Sequence, residues 1–166
     1  SLEKSDLIES RGVRIAATQN VAVVGKTRID FSTDTFLAHP IRVLGSNYLT
    51  LGWGNSWNGL PDLNGSQFGI VATADNTHVT ITPKVTTGSH PAGVPYNFIL
   101  NAGQTYMLRN TSDSPADLTG SRITTDSPVA VFGGHRCANI SGSLFFCDTV
   151  LEQTLPVSLW AREYAM

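Results

Sequence analysis

Charge is scarce in this chain. Asp, Glu, Lys and Arg make up 14% of its 166 residues, where soluble domains carry roughly 25%. The polar surface must then come from Thr, Ser, Asn and Gly, a balance more common in secreted β-proteins than in cytosolic ones. The basic residues, such as Arg14, Lys26, Lys84, Arg109 and Arg136, are scattered, and the net charge is −2. With no basic stripe to release counterions from a phosphate backbone, nucleic acid is excluded as a partner. No apolar run approaches the ~20 residues of a membrane-spanning helix, so membrane insertion is not expected. Catalytic signatures are missing too. His39, His78, His90 and His135 are isolated from one another. Gly65-Ser-Gln-Phe-Gly69 falls one residue short of a nucleophile elbow, and a Ser between loop glycines is usually a turn. Asp62-Leu-Asn64 matches only the first half of a calcium loop. The chain reads as a non-enzyme with no cofactor and no metal.

Cysteine is limited to Cys137 and Cys147, ten positions apart. In a secreted chain this pair reads as one local disulfide. The other reading, a metal pair with His135, matches no common zinc spacing. A structural, hydrogen-bonding role suits His135 better.

A repetition organises what is present. Gly12-Val-Arg-Ile-Ala-Ala-Thr-Gln-Asn-Val-Ala-Val-Val-Gly25 aligns without a gap on Gly120-Ser-Arg-Ile-Thr-Thr-Asp-Ser-Pro-Val-Ala-Val-Phe-Gly133, at a constant separation of 108 positions (Arg14 to Arg122). Asp34-Thr-Phe-Leu37 then answers Asp148-Thr-Val-Leu151, and Pro40-Ile-Arg-Val43 with Tyr48 answers Pro156-Val-Ser-Leu159 with Tyr164. A fixed-period echo marks a repeated supersecondary unit. It predicts that Val21 and Val23 are buried as Val129 and Val131 are. It divides the chain into the C-terminal half of a first repeat (1–52), an aromatic Asn/Gly-rich loop (53–66) and a second repeat (67–166), unless the whole is one continuous domain. Ser1 begins part-way through a repeat. The expectation is either a fragment of a longer surface protein or a mature subunit whose half-repeat docks near Trp160–Met166 of the next copy.

The second copy also carries a resemblance. Pro128-Val-Ala-Val-Phe-Gly-Gly-His-Arg-Cys-Ala-Asn139, then Cys147-Asp148, then Glu152-Gln-Thr-Leu-Pro-Val-Ser-Leu-Trp160 resemble the IgG Fc-binding protein N-terminal domain family. Phe68-Gly-Ile-Val-Ala-Thr73 and Gly103-Gln-Thr-Tyr106 fit as well, so the similarity covers most of residues 65–164. The N-terminal copy matches more loosely and lacks both cysteines. The family includes part of a mucus glycoprotein and many large bacterial surface or secreted proteins. The resemblance therefore implies an extracellular or cell-surface β-domain; its motifs are scaffold motifs, from which Fc binding does not follow.

Local patterns predict an all-β fold of β-sandwich-type units in tandem. Val13–Ala17 and Val21–Gly25 read as strand, turn, strand, with Gln19-Asn20 between them, and Arg28, Asp30 and Ser32 alternate with Ile29 and Phe31 as a half-buried strand. Short helical turns are expected near 34–39, capped by Thr33 or Asp34 and ended by Pro40, and near 148–154. Phe68, Ile70 and Ala72 alternate, Asp75-Asn76 turns, and Val79 and Ile81 return, which predicts a hairpin. Tyr96, Phe98 and Leu100, the turn Asn101-Ala-Gly103, then Tyr106 and Leu108 predict a second.

The candidate site lies in the long irregular stretch from Gly52 to Ser66. Loops of this length without internal structure tend to be functional or disordered, and two tryptophans argue against disorder. Trp53, Asn55, Trp57, Asn58, Asp62 and Asn64 combine flat apolar rings with amides that both donate and accept, which suits a protein or glycan ligand. Against that stands the reading in which the tryptophans fold back and plug the end of a sandwich. Two functions follow: a non-catalytic extracellular adhesion or ligand-binding module, or a structural subunit of a filament, sheath or coat built from copies of itself through strand edges.

Overall fold

The computed structural model describes residues 4–29, 32–141 and 145–163; the expectations placed on Asp30, Phe31, Tyr164 and Met166 lie outside them. The fold is all-β, with ten strands among the described residues and two short 3-10 turns. The strands are β1 (Leu7–Glu9), β2 (Val23–Ile29), β3 (Ser32–Ala38), β4 (Gly45–Leu49), β5 (Ser66–Ala72), β6 (Thr77–Thr82), β7 (Tyr96–Leu100), β8 (Thr105–Asn110), β9 (Arg122–Ala138) and β10 (Asp148–Thr154).

Everything is arranged on β9, which at 17 residues is far longer than its neighbours. No single partner spans it, so each edge takes two strands in line. On one edge β5 pairs with residues 129–135 and β6 with 122–125, both antiparallel. On the other edge β10 pairs with 131–138 and β4 with 122–129. β8 and β1 extend the β5 half, and β7 extends the β6 half. The sheet bends where β9 passes Ser127-Pro128, and its halves face each other as a two-layer sandwich. Ile123, Ile81, Val79 and Tyr48 from one half pack with Val131, Ile70, Phe68 and Leu108 from the other in one buried cluster. The period-2 burial of β5 shows the inward face alternating as a half-buried strand should. Tyr48 fastens the bend: its hydroxyl donates to the Val129 carbonyl at 2.7 Å and accepts from the Gly45 N–H at 2.9 Å.

This arrangement corrects the two expected hairpins. β5 and β6 do not pair with each other; they run in the same direction along β9. Asp75-Asn76, with Asn76 at φ 55°, carries the chain around the bend rather than reversing it. β7 and β8 are related in the same way. The two corners are tied together by Asn76 N–H donating to Asn101 Oδ1 (3.0 Å) and Ala102 N–H to Asp75 Oδ1 (3.0 Å). Alternation shows which face is apolar, but a reversal and a corner have the same turn residues.

The helical turns expected near 34–39 and 148–154 are strands β3 and β10. Each is the second arm of a hairpin, β2–β3 and β9–β10, and backbone pairing outweighs the weak capping signal of Thr33 and Asp34. The 3-10 turns come one step later, at Ile41–Val43 and Val157–Leu159, opened rather than ended by Pro40 and Pro156. The fixed φ of proline suits a first position, where its missing N–H costs nothing.

The sequence echo has a structural counterpart in these hairpins. Pro40 (φ −65°, ψ 149°) and Pro156 (φ −65°, ψ 151°) cap their turns almost identically. In register, Val23↔Ala38 stands where Val131↔Thr154 stands, and Thr27↔Asp34 where His135↔Val150 stands. Asp34 is thus the counterpart of Val150 rather than Asp148. Upstream of the hairpin the copies part. Residues 13–22 form no strand, so the strand expected at Val13–Ala17 is absent, and Val21 is exposed whereas Val129 is buried. The expected burial fails at both positions, Val21 being exposed and Val23 only half-buried, because β4, β5 and β6 pair with β9 and not with this copy.

The β2–β3 hairpin joins the body through side chains. Ser32 Oγ and Asp34 Oδ2 accept from the N–H groups of Thr149 and Leu151 on the outer edge of β10 (2.8 and 2.6 Å), and Gln153 Oε1 accepts from His39 N–H at 2.7 Å. Phe36 adds an edge-to-face contact with Phe132, ring centres 5.2 Å apart. The N-terminal β1 is clipped by Asp6, whose carboxylate accepts from the Tyr106 hydroxyl at 2.6 Å and meets His90 Nε2 at 2.9 Å.

Candidate functional site

The loop from Thr50 to Gly65 has no ladder to satisfy its backbone, so its polar groups must find partners individually. They find them in the neighbouring loop 110–121. Thr50 exchanges backbone bonds with Ser121 and Gly120, and Asn55 N–H donates to the Ala116 carbonyl at 2.8 Å. The loop can lie flat on the sheet because β9 has Gly133 there: a Cβ at that position would collide with the Leu51 carbonyl.

Two of the six sequence-predicted residues form the frame of the loop. Asn55 is buried. Its Nδ2 donates to the carbonyls of Asn110 (3.0 Å) and Ser112 (2.7 Å), and its Oδ1 accepts from the N–H groups of Gly65 and Ser66 (both 3.0 Å). Asn64 is fully buried and mimics a strand partner for Trp57: Nδ2 donates to the Trp57 carbonyl at 2.8 Å and Oδ1 accepts from its N–H at 3.2 Å. Both amides are committed to the fold.

The other four lie outward. Trp53 is 40% exposed. Asn58 and Asp62 are exposed and Trp57 is half-buried. Asn58 Oδ1 accepts from Ser114 N–H at 3.1 Å, which leaves its amide NH2 pointing away from that bond. The Trp57 indole N–H is buried and has no acceptor among the described residues. Trp57 meets a residue that sequence reasoning did not select: Phe145, edge to face, ring centres 4.8 Å apart. Phe145 belongs to the loop closed by the Cys137–Cys147 disulfide, whose Cα atoms are 4.9 Å apart. The disulfide loop therefore stands against the aromatic loop, and it exposes Ile140, Phe145 and Phe146. A signal was available. Two adjacent phenylalanines in a ten-residue, cysteine-closed loop have no core to enter, so they must face solvent or a partner.

His135 lies beneath this surface, fully buried. Its Nδ1 accepts from the Cys137 N–H at 2.9 Å, which puts the ring proton on Nε2, 2.9 Å from Asn55 Oδ1. Burial lowers its pKa from the ordinary 6.5 to about 4, against a smaller opposing pull from Asp117. It is a neutral strut joining the disulfide loop to the frame of the aromatic loop. Among the described residues, no three of His, Cys, Asp and Glu are grouped so as to hold a metal ion, and no helix is long and apolar enough to cross a membrane. The arrangement can offer rings, amides and a carboxylate to a ligand surface.

Residues 34–166 match the family described as IgGFc binding protein. A human IgGFc-binding protein is 34% identical over 131 residues, spanning 78% of the chain but 2% of the human protein's length. No solved structure matches.

Proposed function

The chain belongs to the IgGFc binding protein family, and from that premise we propose that it is an extracellular ligand-binding module of a larger surface or secreted protein, bacterial on the resemblance of its motifs. On this reading it is a non-catalytic, IgGFc-binding-like β-domain. Its ligand is a protein or glycan held against the outward face of the two loops, which carries Trp53, Trp57, Asn58 and Asp62 and, against Trp57, Phe145. One observation carries this reading. The loop that exposes these rings is internally fixed by Asn55 and Asn64, so little ordering entropy opposes binding, and fixed exposed aromatics are the usual anchors of an interface.

The human relative's name makes IgG Fc the first ligand to test, with mucin-type glycans beside it. Titration of the immobilised ligand should show Trp53→Ala/Phe145→Ala binding at least about tenfold more weakly than the parent chain, the loss expected for truncated hot-spot aromatics. The melting temperature should be nearly unchanged, since both side chains are exposed. Undiminished binding by that variant would remove the face from consideration. A large fall in melting temperature would show that the rings are core instead.

A further inference from the structure

The first copy of the repeat exposes what the second copy buries. At the gapless register of the echo, Val13, Ile15 and Val21 correspond to Ser121, Ile123 and Val129. The first three are 84%, 59% and 62% exposed, and the last three are each 0% exposed. Nothing in the side chains explains the difference, because Ile15 faces Ile123 and Val21 faces Val129 in the alignment. The neighbours do. Residues 122–135 of β9 are flanked on both edges by β4, β5, β6 and β10. Residues 13–22 pair with no strand, although β2 immediately after them already forms the same hairpin that the second half of β9 forms with β10. A mature strand pattern, an intact hairpin and an apolar face without its sheet are found together on one segment.

We propose that residues 13–24 are a docking strand for a further unit of this same fold. Its partner is a sheet half equivalent to β4 with β5, β6 and β8, which receives 13–24 as β9 is received here. Val21 and Ile15 then enter that unit's core, and the chain functions as a link between serially packed units. The occupant is fixed by the register. An unrelated protein would have no reason to find Ile15 and Val21 at the spacing and phase that Ile123 and Val129 use, because a shift of one residue would turn the whole apolar set outward. A lone unpaired apolar segment is an aggregation hazard, and a same-fold neighbour removes the hazard and fills the missing core.

The test adds the missing strands. A second copy of residues 45–119 is joined ahead of Ser1 of the intact chain through a flexible linker, which leaves β1 on β8 and whose length adds little closure cost. The backbone N–H groups of 13–22, which pair with no strand in the 166-residue chain, should exchange more slowly in the extended chain by about two orders of magnitude, as in a buried strand. Val21→Asp should abolish that protection while leaving the melting temperature of the 166-residue chain unchanged. Val129→Asp should unfold the 166-residue chain. Equally fast exchange with and without the added strands would overturn the proposal. So would a Val21→Asp variant of the 166-residue chain that is destabilised as badly as Val129→Asp, because 13–24 would then already be packed on its own body. Neither readout depends on the ligand face, so its failure would leave this link standing.

Discussion

At the scale of single residues, the polar side chains of the interior decide how the loops are held. His135 can keep its bonds to Asn55 and to the Cys137 N–H only as the neutral ring, since a proton on Nδ1 would set two donors against each other. Its pKa in the fold, about 4, lies below the ordinary 6.5, so between those values the unfolded chain binds a proton that the folded chain refuses. Stability therefore falls as pH drops through that window, by up to about 3 kcal/mol. Urea unfolding at pH 7 and pH 4.5 should show the loss, and His135→Gln, which cannot titrate, should be less stable at pH 7 but flatter across the window. The structural role of His135 was legible because one histidine with two cysteines at this spacing matches no common zinc pattern. The division among the asparagines was not. Asn55 and Asn64 share their loop and composition with Asn58, and only the three-dimensional path decides which amides turn inward to replace a ladder.

At the scale of elements, the Cys137–Cys147 bond closes a ten-residue separation and so removes chain entropy from the unfolded state, worth about 2–3 kcal/mol for a loop of this size. Reduction should lower the free energy of urea unfolding by that amount, with a corresponding fall in the midpoint. It should also loosen the Phe145–Trp57 contact, giving a red shift in tryptophan emission before global unfolding. Intact-mass thiol labelling of the native protein should find no free thiol. The pairing was readable because the chain has only two cysteines, in a secreted-type composition and at a spacing that fits no common zinc pattern. The strands were readable too: Phe68, Ile70 and Ala72, or Val129 and Val131, declare their inward face by alternation. Their partners were not. Asp75-Asn76 and Asn101-Ala-Gly103 look like hairpin turns, and only the length of β9, which needs two strands in line on each edge, converts them into corners. Thr33-Asp34 looked like a helix cap because the same oxygen that caps a helix can also receive the N–H of a neighbouring strand, as Asp34 Oδ2 does for Leu151.

At the scale of the whole molecule, the chain has two levels of attachment. β5, β8 and β9 share a ladder and a common core, so their amides exchange only when the domain unfolds. The β2–β3 hairpin shares no ladder with that sheet. It is held by Ser32, Asp34 and Gln153 reaching across to or from β10, and by Phe36 against Phe132. A few side-chain bonds of about 1 kcal/mol net each, the carboxylate one somewhat more, cannot equal the global stability of a domain, so the hairpin must open independently. Asp34→Ala removes the acceptor for Leu151 N–H together with the link from Asp34 to Thr35 N–H. Hydrogen exchange of residues 23–38 should then speed up roughly tenfold, while exchange of β9 and the melting temperature stay where they were. Equally accelerated β9 exchange or a matching fall in melting temperature would mean that hairpin and sandwich unfold as one unit. Independent opening is also what a unit in a series needs, because a hairpin that can shift on β10 lets residues 13–24 align with an added sheet without disturbing the core that carries the two loops.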